Sequence, residues 1–121
     1  MSSKLLPLLG GSLLAVIAGC GRSTEFTCTT YNTSTFAPLY CQEFEGGFDD
    51  ADVLAMCTGE DSRANRLPCS DTDRIARCRV PFSDGSVIVF HYYRPLDLDG
   101  AQSLCSTLGM IGGSGSEFLV P

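Results

Sequence analysis

The chain is short of the residue types on which most enzyme sites and nucleic-acid interfaces depend. Its 121 residues include no Trp, one His and eight basic residues against 14 acidic ones, for a formal net charge of −6. This charge disfavours nucleic acid and anionic lipid as partners, because both are bound through basic patches. We therefore expect no nucleic-acid partner, and we attribute the excess of acidic residues to solubility.

Closely spaced cysteine pairs and clusters of histidines are also absent. Zinc sites usually contain pairs such as C-x₂-C, whereas successive cysteines after position 20 lie at least nine residues apart. The segment Asp97-Leu98-Asp99-Gly100 matches only part of a calcium loop, because Pro95 and Ser106 would occupy its first and last ligand positions. We expect no metal and no cofactor, and we expect one of these aspartates to cap a helix.

No run of apolar residues reaches the about 20 that a membrane-spanning helix needs. The longest run, residues 5–18, is interrupted by Pro7, Gly10 and Gly11. It follows a single Lys4 and ends in small residues, which is the layout of a secretory signal peptide. We predict that residues 1–19 are removed during export.

The end of that segment, Ile17-Ala18-Gly19-Cys20, resembles the lipobox of bacterial lipoproteins. The resemblance implies that Cys20 is lipidated and becomes the mature N-terminus, so that the partner is a lipid bilayer. Residues 20–25 would form a short tether reaching about 20 Å. The absence of Asp at position 21 favours the outer membrane of a diderm bacterium, on its periplasmic or surface face. The alternative is an ordinary signal peptide with an unmodified cysteine.

The remaining cysteines indicate a disulfide framework in a single domain, residues 26–121. An even number in a small exported domain is typical of such frameworks. Six cysteines allow 15 connectivities, and spacing does not choose among them. We favour pairing between sequence neighbours, which gives Cys28–Cys41, Cys57–Cys69 and Cys78–Cys105.

Hydrophobic periodicity and turn residues predict an α+β fold, a small mostly antiparallel sheet with two short helices. Val53, Met56 and Cys57 share one helix face, and Asp84-Gly85 suits a tight hairpin turn. We expect a polar loop over residues 60–67. The predicted strands are 26–31, 39–45, 74–80, 86–94 and 117–120, and the predicted helices are 48–57 and 100–108, the second ending at Gly109.

An internal repeat at an offset of 48 residues aligns 40–58 with 88–106. Each half reads as a strand, a short joint and an acid-capped helix that carries a cysteine near its end. The repeat predicts a β–α duplication; the alternative is a chance similarity over few positions.

The spacing of cysteines and aromatic residues resembles that of small six-cysteine lipoproteins of myxobacteria and spirochaetes. The features that carry it are Tyr40-Cys41, the helix ending at Cys57, Pro68-Cys69, Arg77-Cys78, Tyr92-Tyr93 and Cys105. This resemblance implies an exported, anchored protein and no particular activity.

Four residues are candidates for binding. Arg77 and Arg79 alternate along one strand, in a region that holds most of the arginines, and they could form bidentate pairs with an anionic glycan or a partner's carboxylates. Tyr92 and Tyr93 end the next strand and could stack on sugars. The alternative is a solvated arginine face, balanced by nearby aspartates, and core positions for the tyrosines.

Three functions follow from these features. The first is a non-enzymatic, membrane-anchored envelope protein, a structural or binding module without an assigned ligand. The second is a protease-inhibitor-like or accessory subunit that presents the segment 58–69 to a protein partner. The third is a small hydrolase that uses His91 as general base, for which the alternative is a strand histidine hydrogen-bonded at the sheet edge. We expect no enzymatic activity.

Overall fold

A computed structural model describes residues 22–120, so the signal segment and Cys20 lie outside the described residues. The fold is α+β, as predicted: one six-stranded antiparallel sheet, two helices and three disulfides. The elements in chain order are β1 (Thr27–Tyr31), β2 (Pro38–Gly46), α1 (Asp50–Met56), β3 (Ser62–Asn65), β4 (Arg74–Pro81), β5 (Val87–Tyr93), α2 (Leu98–Gly112) and β6 (Glu117–Leu119).

The strand order, β3-β1-β2-β5-β4-β6, is symmetric about the central β2–β5 pair. The first half of the chain supplies β1, β2, α1 and β3, and the second half supplies β4, β5, α2 and β6 in the same succession. At the centre Gln42 pairs with Phe90, which is the 48-residue offset of the predicted repeat. The repeated unit is therefore larger than the predicted β–α pair, since each half is a ββαβ unit.

Strand register divides the sheet into two faces. One row crosses five strands through Cys28, Gln42, Phe90, Cys78 and Phe118. The adjacent row crosses the same strands through Thr29, Cys41, His91, Arg77 and Leu119. Because side chains alternate along a strand, the two rows point to opposite sides. We call the first side the helix face and the second the polar face.

Both helices pack on the helix face. Helix α1 buries Val53 against Cys28, Phe44 and Ile88. Helix α2 buries its Ala101 and Cys105 in a second cluster. The strand members of this cluster are Ala76, Cys78, Val80 and Tyr92. Apolar residues at helical spacing thus meet apolar residues at strand spacing, which is the pattern that predicted this layer.

The disulfides are Cys28–Cys57, Cys41–Cys69 and Cys78–Cys105. The predicted Cys78–Cys105 pair is confirmed, and the predicted Cys28–Cys41 and Cys57–Cys69 pairs are wrong. Cys28 pairs in register with Gln42, so it lies one residue out of register with Cys41 and points to the opposite face of the sheet. Cys28 therefore bonds Cys57 at the end of α1 on the helix face, and Cys41 bonds Cys69 in the segment that crosses the polar face.

Two other local predictions need correction. The segment predicted as a polar loop over 60–67 contains β3, an edge strand paired with β1, whose four residues are too few and too polar to give a strand signal. The predicted stop of the second helix at Gly109 is also wrong, since α2 continues to Gly112 and is capped by Gly113. Gly109 instead lets the helix pass close to Ser116, whose Oγ donates to the Cys105 carbonyl at 2.8 Å.

Candidate functional site

The polar face is the side of the sheet that carries the charged residues. Strands β2, β5 and β4 place on it Glu43, Val89 and Arg79 in one row and Cys41, His91 and Arg77 in the next. The Cys41–Cys69 disulfide and a hydrogen bond of 2.7 Å from the Tyr93 hydroxyl to the Ser70 carbonyl fasten one chain segment against this face.

His91 lies buried between a carboxylate and a guanidinium. Its Nε2 lies 3.1 Å from Glu43 Oε1, and its Nδ1 lies 3.3 Å from Arg74 Nη1. A guanidinium can only donate, so Nδ1 accepts and the proton sits on Nε2, which donates to Glu43. Both ring nitrogens are occupied, so the neutral ring bridges two strands and has no free nitrogen for a substrate.

Burial lowers the pKa of His91 below its ordinary value. The hydrogen bond and negative charge of Glu43 act in the opposite direction, while the positive charges of Arg74 and Arg77 add to the lowering. The ring is therefore neutral near pH 7, which matches its hydrogen bonds. His91 is hydrogen-bonded, as the alternative to a general base expected, but the expected position at the sheet edge is wrong, because β5 lies at the centre of the sheet between β2 and β4.

This arrangement predicts a specific loss of stability in mild acid. Because the folded-state pKa of His91 lies below that of the unfolded chain, the unfolded chain takes up the proton first as the pH falls. The stabilisation is complete above about pH 6.5 and is lost as the pH falls through the folded-state pKa. The free energy of unfolding should fall by up to about 1.4 kcal/mol per pH unit in this range. Urea unfolding between pH 7.5 and 5.5 measures it.

The matched variant is His91→Gln, which has no titratable ring. Its unfolding free energy should depend less on pH over this range than that of the wild type. Equal slopes in the two proteins would show that His91 does not carry the effect.

Three arginines of β4 lie on the polar face, and they differ in their partners. Arg79 Nε forms an ion pair with Glu45 at 3.1 Å. Within residues 22–120, neither Arg74 nor Arg77 has a carboxylate within 4.0 Å, although Arg74 contacts His91. In the same part of the chain, the Nε atoms of both are buried without a hydrogen-bond partner. Arg77 and Arg74 are thus partly buried cations that no anion from the described part of the chain pairs with.

The structure separates the two candidate tyrosines. Tyr92 lies on the helix face and Tyr93 on the polar face, and each is at most 3% exposed. Burial raises the pKa of each to about 12. Neither ring is exposed for stacking on a sugar, so these residues belong to the core, the alternative stated for them.

The aspartates have the capping role expected of them. Asp49 accepts from the Asp52 amide at 2.9 Å and forms a capping box at α1. Asp97 accepts from the Gly100 amide at 2.8 Å at the start of α2. Within the described range, there is no group of three or more His, Cys, Asp or Glu residues that could hold a metal ion.

Sequence reasoning missed two members of this site, Glu43 and Arg74. Glu43 read as part of an acidic strand, and Arg74 as the first residue of the hairpin. Both become partners of His91 only through the register of β2, β5 and β4. The sequence did offer one signal. Arg77 and Arg79 occupy alternate positions of β4, which places their positive charges on the same face of the sheet.

No family model, curated protein or solved structure matches the chain. The resemblance to six-cysteine lipoproteins therefore stays a prediction that the motifs carry. From Arg22 onward, neither helix is both long enough and apolar enough to cross a membrane. The lipobox and Cys20 lie outside the described residues.

Proposed function

We propose that the chain is the precursor of a lipid-anchored envelope protein whose domain is a non-enzymatic binding module. The lipobox supports the anchor, and three disulfides suit an oxidising compartment outside the cytoplasm. The ligand is an anionic glycan, bound on the polar face through Arg77 and Arg74.

The start of the domain supports close anchoring. Arg22 forms an ion pair with Asp52, and the Thr24 hydroxyl donates to Asp50 at 2.6 Å, so the chain is already fastened to α1 at these positions. Only Gly21 then separates Cys20 from the first fastened residue. The free tether is shorter than the predicted one, and the domain would sit directly on the lipid headgroups.

One observation carries the choice of ligand: among residues 22–120, Arg77 has no carboxylate within 4.0 Å, although the protein has 14 acidic residues. A partly buried guanidinium is costly unless it is paired. Guanidinium groups form bidentate hydrogen bonds with carboxylates, which uronic-acid sugars carry.

The test is the binding of polygalacturonate to the purified protein, with neutral dextran as the reference polymer. We expect wild type to bind polygalacturonate in a salt-sensitive manner and to ignore dextran. Arg77→Gln should weaken binding at least about tenfold, the effect expected for one charge-assisted contact. Isothermal titration calorimetry measures both.

The matched control is Arg94→Gln, which removes one positive charge from an exposed position paired with Asp73. It should change affinity less than threefold. Equal losses of affinity in the two variants would mean that the effect comes from net charge alone, and unaltered binding by Arg77→Gln would refute the site.

A separate experiment, acyl labelling of wild type and Cys20→Ser, tests the anchor. We expect label in wild type and none in Cys20→Ser, and the absence of label from both proteins would refute the anchor.

A further inference from the structure

The outer surface of α1 and α2, which we call the helix layer, carries no charge beyond the first turn of each helix. From residue 100 to residue 116 the chain has no charged side chain. Within this range Met110 and Ile111 of α2 are 77% and 76% exposed. On α1, Leu54 and Met56 are about half exposed after the acidic first turn. An uncharged surface with exposed apolar side chains loses little when water is removed from it.

The two helices form one layer on one side of the sheet. Both pack on the helix face, and the strand order is symmetric about the β2–β5 pair. The two-fold axis of this symmetry runs through the sheet near the Gln42–Phe90 pair and relates α1 to α2. One disulfide ties the end of α1 to β1, and another ties α2 to β4. A flat surface that touches one helix can therefore touch the other.

The proposed anchor reaches the domain at this same layer. Arg22 forms an ion pair with Asp52 of α1, and the Thr24 hydroxyl donates to Asp50 at 2.6 Å. The chain from Cys20 to Arg22 spans at most about 7 Å. An acylated Cys20 therefore holds the first turn of α1 beside the lipid headgroups.

We propose that the helix layer rests on the lipid bilayer and turns the polar face of the sheet away from the membrane. This inference rests on the proposed lipid anchor and adds the orientation of the domain. Met110 and Ile111 would enter the boundary between headgroups and acyl chains, as the apolar side chains of interfacial helices do. The net charge of −6 favours zwitterionic over anionic lipid. In this orientation Arg77 lies on the outward side, where a glycan can reach it.

A tryptophan introduced on the helix layer tests this contact, because the chain has no Trp of its own. The mature, acylated Met110→Trp protein is placed in phosphatidylcholine vesicles with and without bromine in the acyl chains. Bromine quenches indole emission only at short range. We expect the emission to be at least about twofold weaker in the brominated vesicles, since the side chain lies at the headgroup–acyl boundary.

The matched control is Phe36→Trp. Phe36 is 78% exposed, and it lies in the turn between β1 and β2, at the end of β2 opposite to the one that leads into α1. Its tryptophan should emit equally in both kinds of vesicle. Both replaced side chains are mostly exposed, so neither variant should disturb the core.

Flotation of the vesicles separates this inference from the anchor on which it rests. Protein that does not float with the vesicles refutes the anchor and the orientation together. Protein that floats without quenching of Met110→Trp keeps the anchor and overturns the orientation, and so does stronger quenching of Phe36→Trp. A blue shift of Met110→Trp that depends on protein concentration and not on bromine would assign the helix layer to a second copy of the chain and would also overturn the proposal.

Discussion

Joint replacement of Cys78 and Cys105 by Ala is expected to lower the free energy of unfolding by about 3.5 kcal/mol or more. The disulfide closes a loop of 27 residues, for which loop-closure entropy alone gives about that value. Both residues are at most 1% exposed at the centre of the α2 cluster, so lost packing adds to the effect. Urea unfolding of the oxidised variant and wild type measures the difference.

The matched control is the joint replacement of Cys41 and Cys69 by Ala. This pair closes a loop of 28 residues, so the entropic contribution is the same. Cys69 is only half-buried, and its segment crosses the polar face outside both apolar clusters. We expect a smaller loss than for Cys78 and Cys105. A larger loss would mean that the polar face, and not the helix face, holds the main core.

Replacement of Gly47 by Ala is expected to destabilise the domain by about 3 kcal/mol. Gly47 has φ +80°, a left-handed conformation that disfavours residues with a Cβ. An added Cβ would also lie 2.6 Å from the Ser86 Cβ and 2.8 Å from its Cα, so backbone must move. The two effects act together at the point where β2 ends beside the hairpin. Thermal or urea unfolding measures the loss.

Gly85→Ala separates these two effects. Gly85 has φ +92°, but an added Cβ there meets no atom within 4 Å. The free energy of unfolding of Gly85→Ala should therefore fall only through the backbone effect, by about 1 kcal/mol. Equal losses at Gly47 and Gly85 would contradict the close approach of Gly47 to Ser86.

Local features of this fold could be predicted from the sequence because they depend on neighbouring residues. Asp49 and Asp97 cap the two helices, and Asp84-Gly85 lies in the turn between β4 and β5. The apolar run of β5 is buried on both faces, as Ile88 and Val89 show. Each of these follows from capping, turn chemistry or periodicity within a few positions.

Features that depend on register were not predictable in the same way. Cys28 and Cys41 lie on neighbouring strands, and a single residue of register decides that they face opposite sides. The same register brings Glu43 and Arg74 to His91 from two other strands. A sequence gives the alternation along each strand, but not the alignment between strands. The sequence therefore named Arg77 and Arg79 as candidates, but not Arg74, Glu43 or the contacts that these residues make with His91.

The division of the sheet into a helix face and a polar face underlies both binding proposals. Peptide mapping of the unreduced protein tests this division directly, because cysteines on opposite faces cannot be joined. We predict a Cys28 peptide linked to Cys57, a Cys41 peptide linked to Cys69 and a Cys78 peptide linked to Cys105. A Cys28–Cys41 link would place both residues on one side and contradict the account.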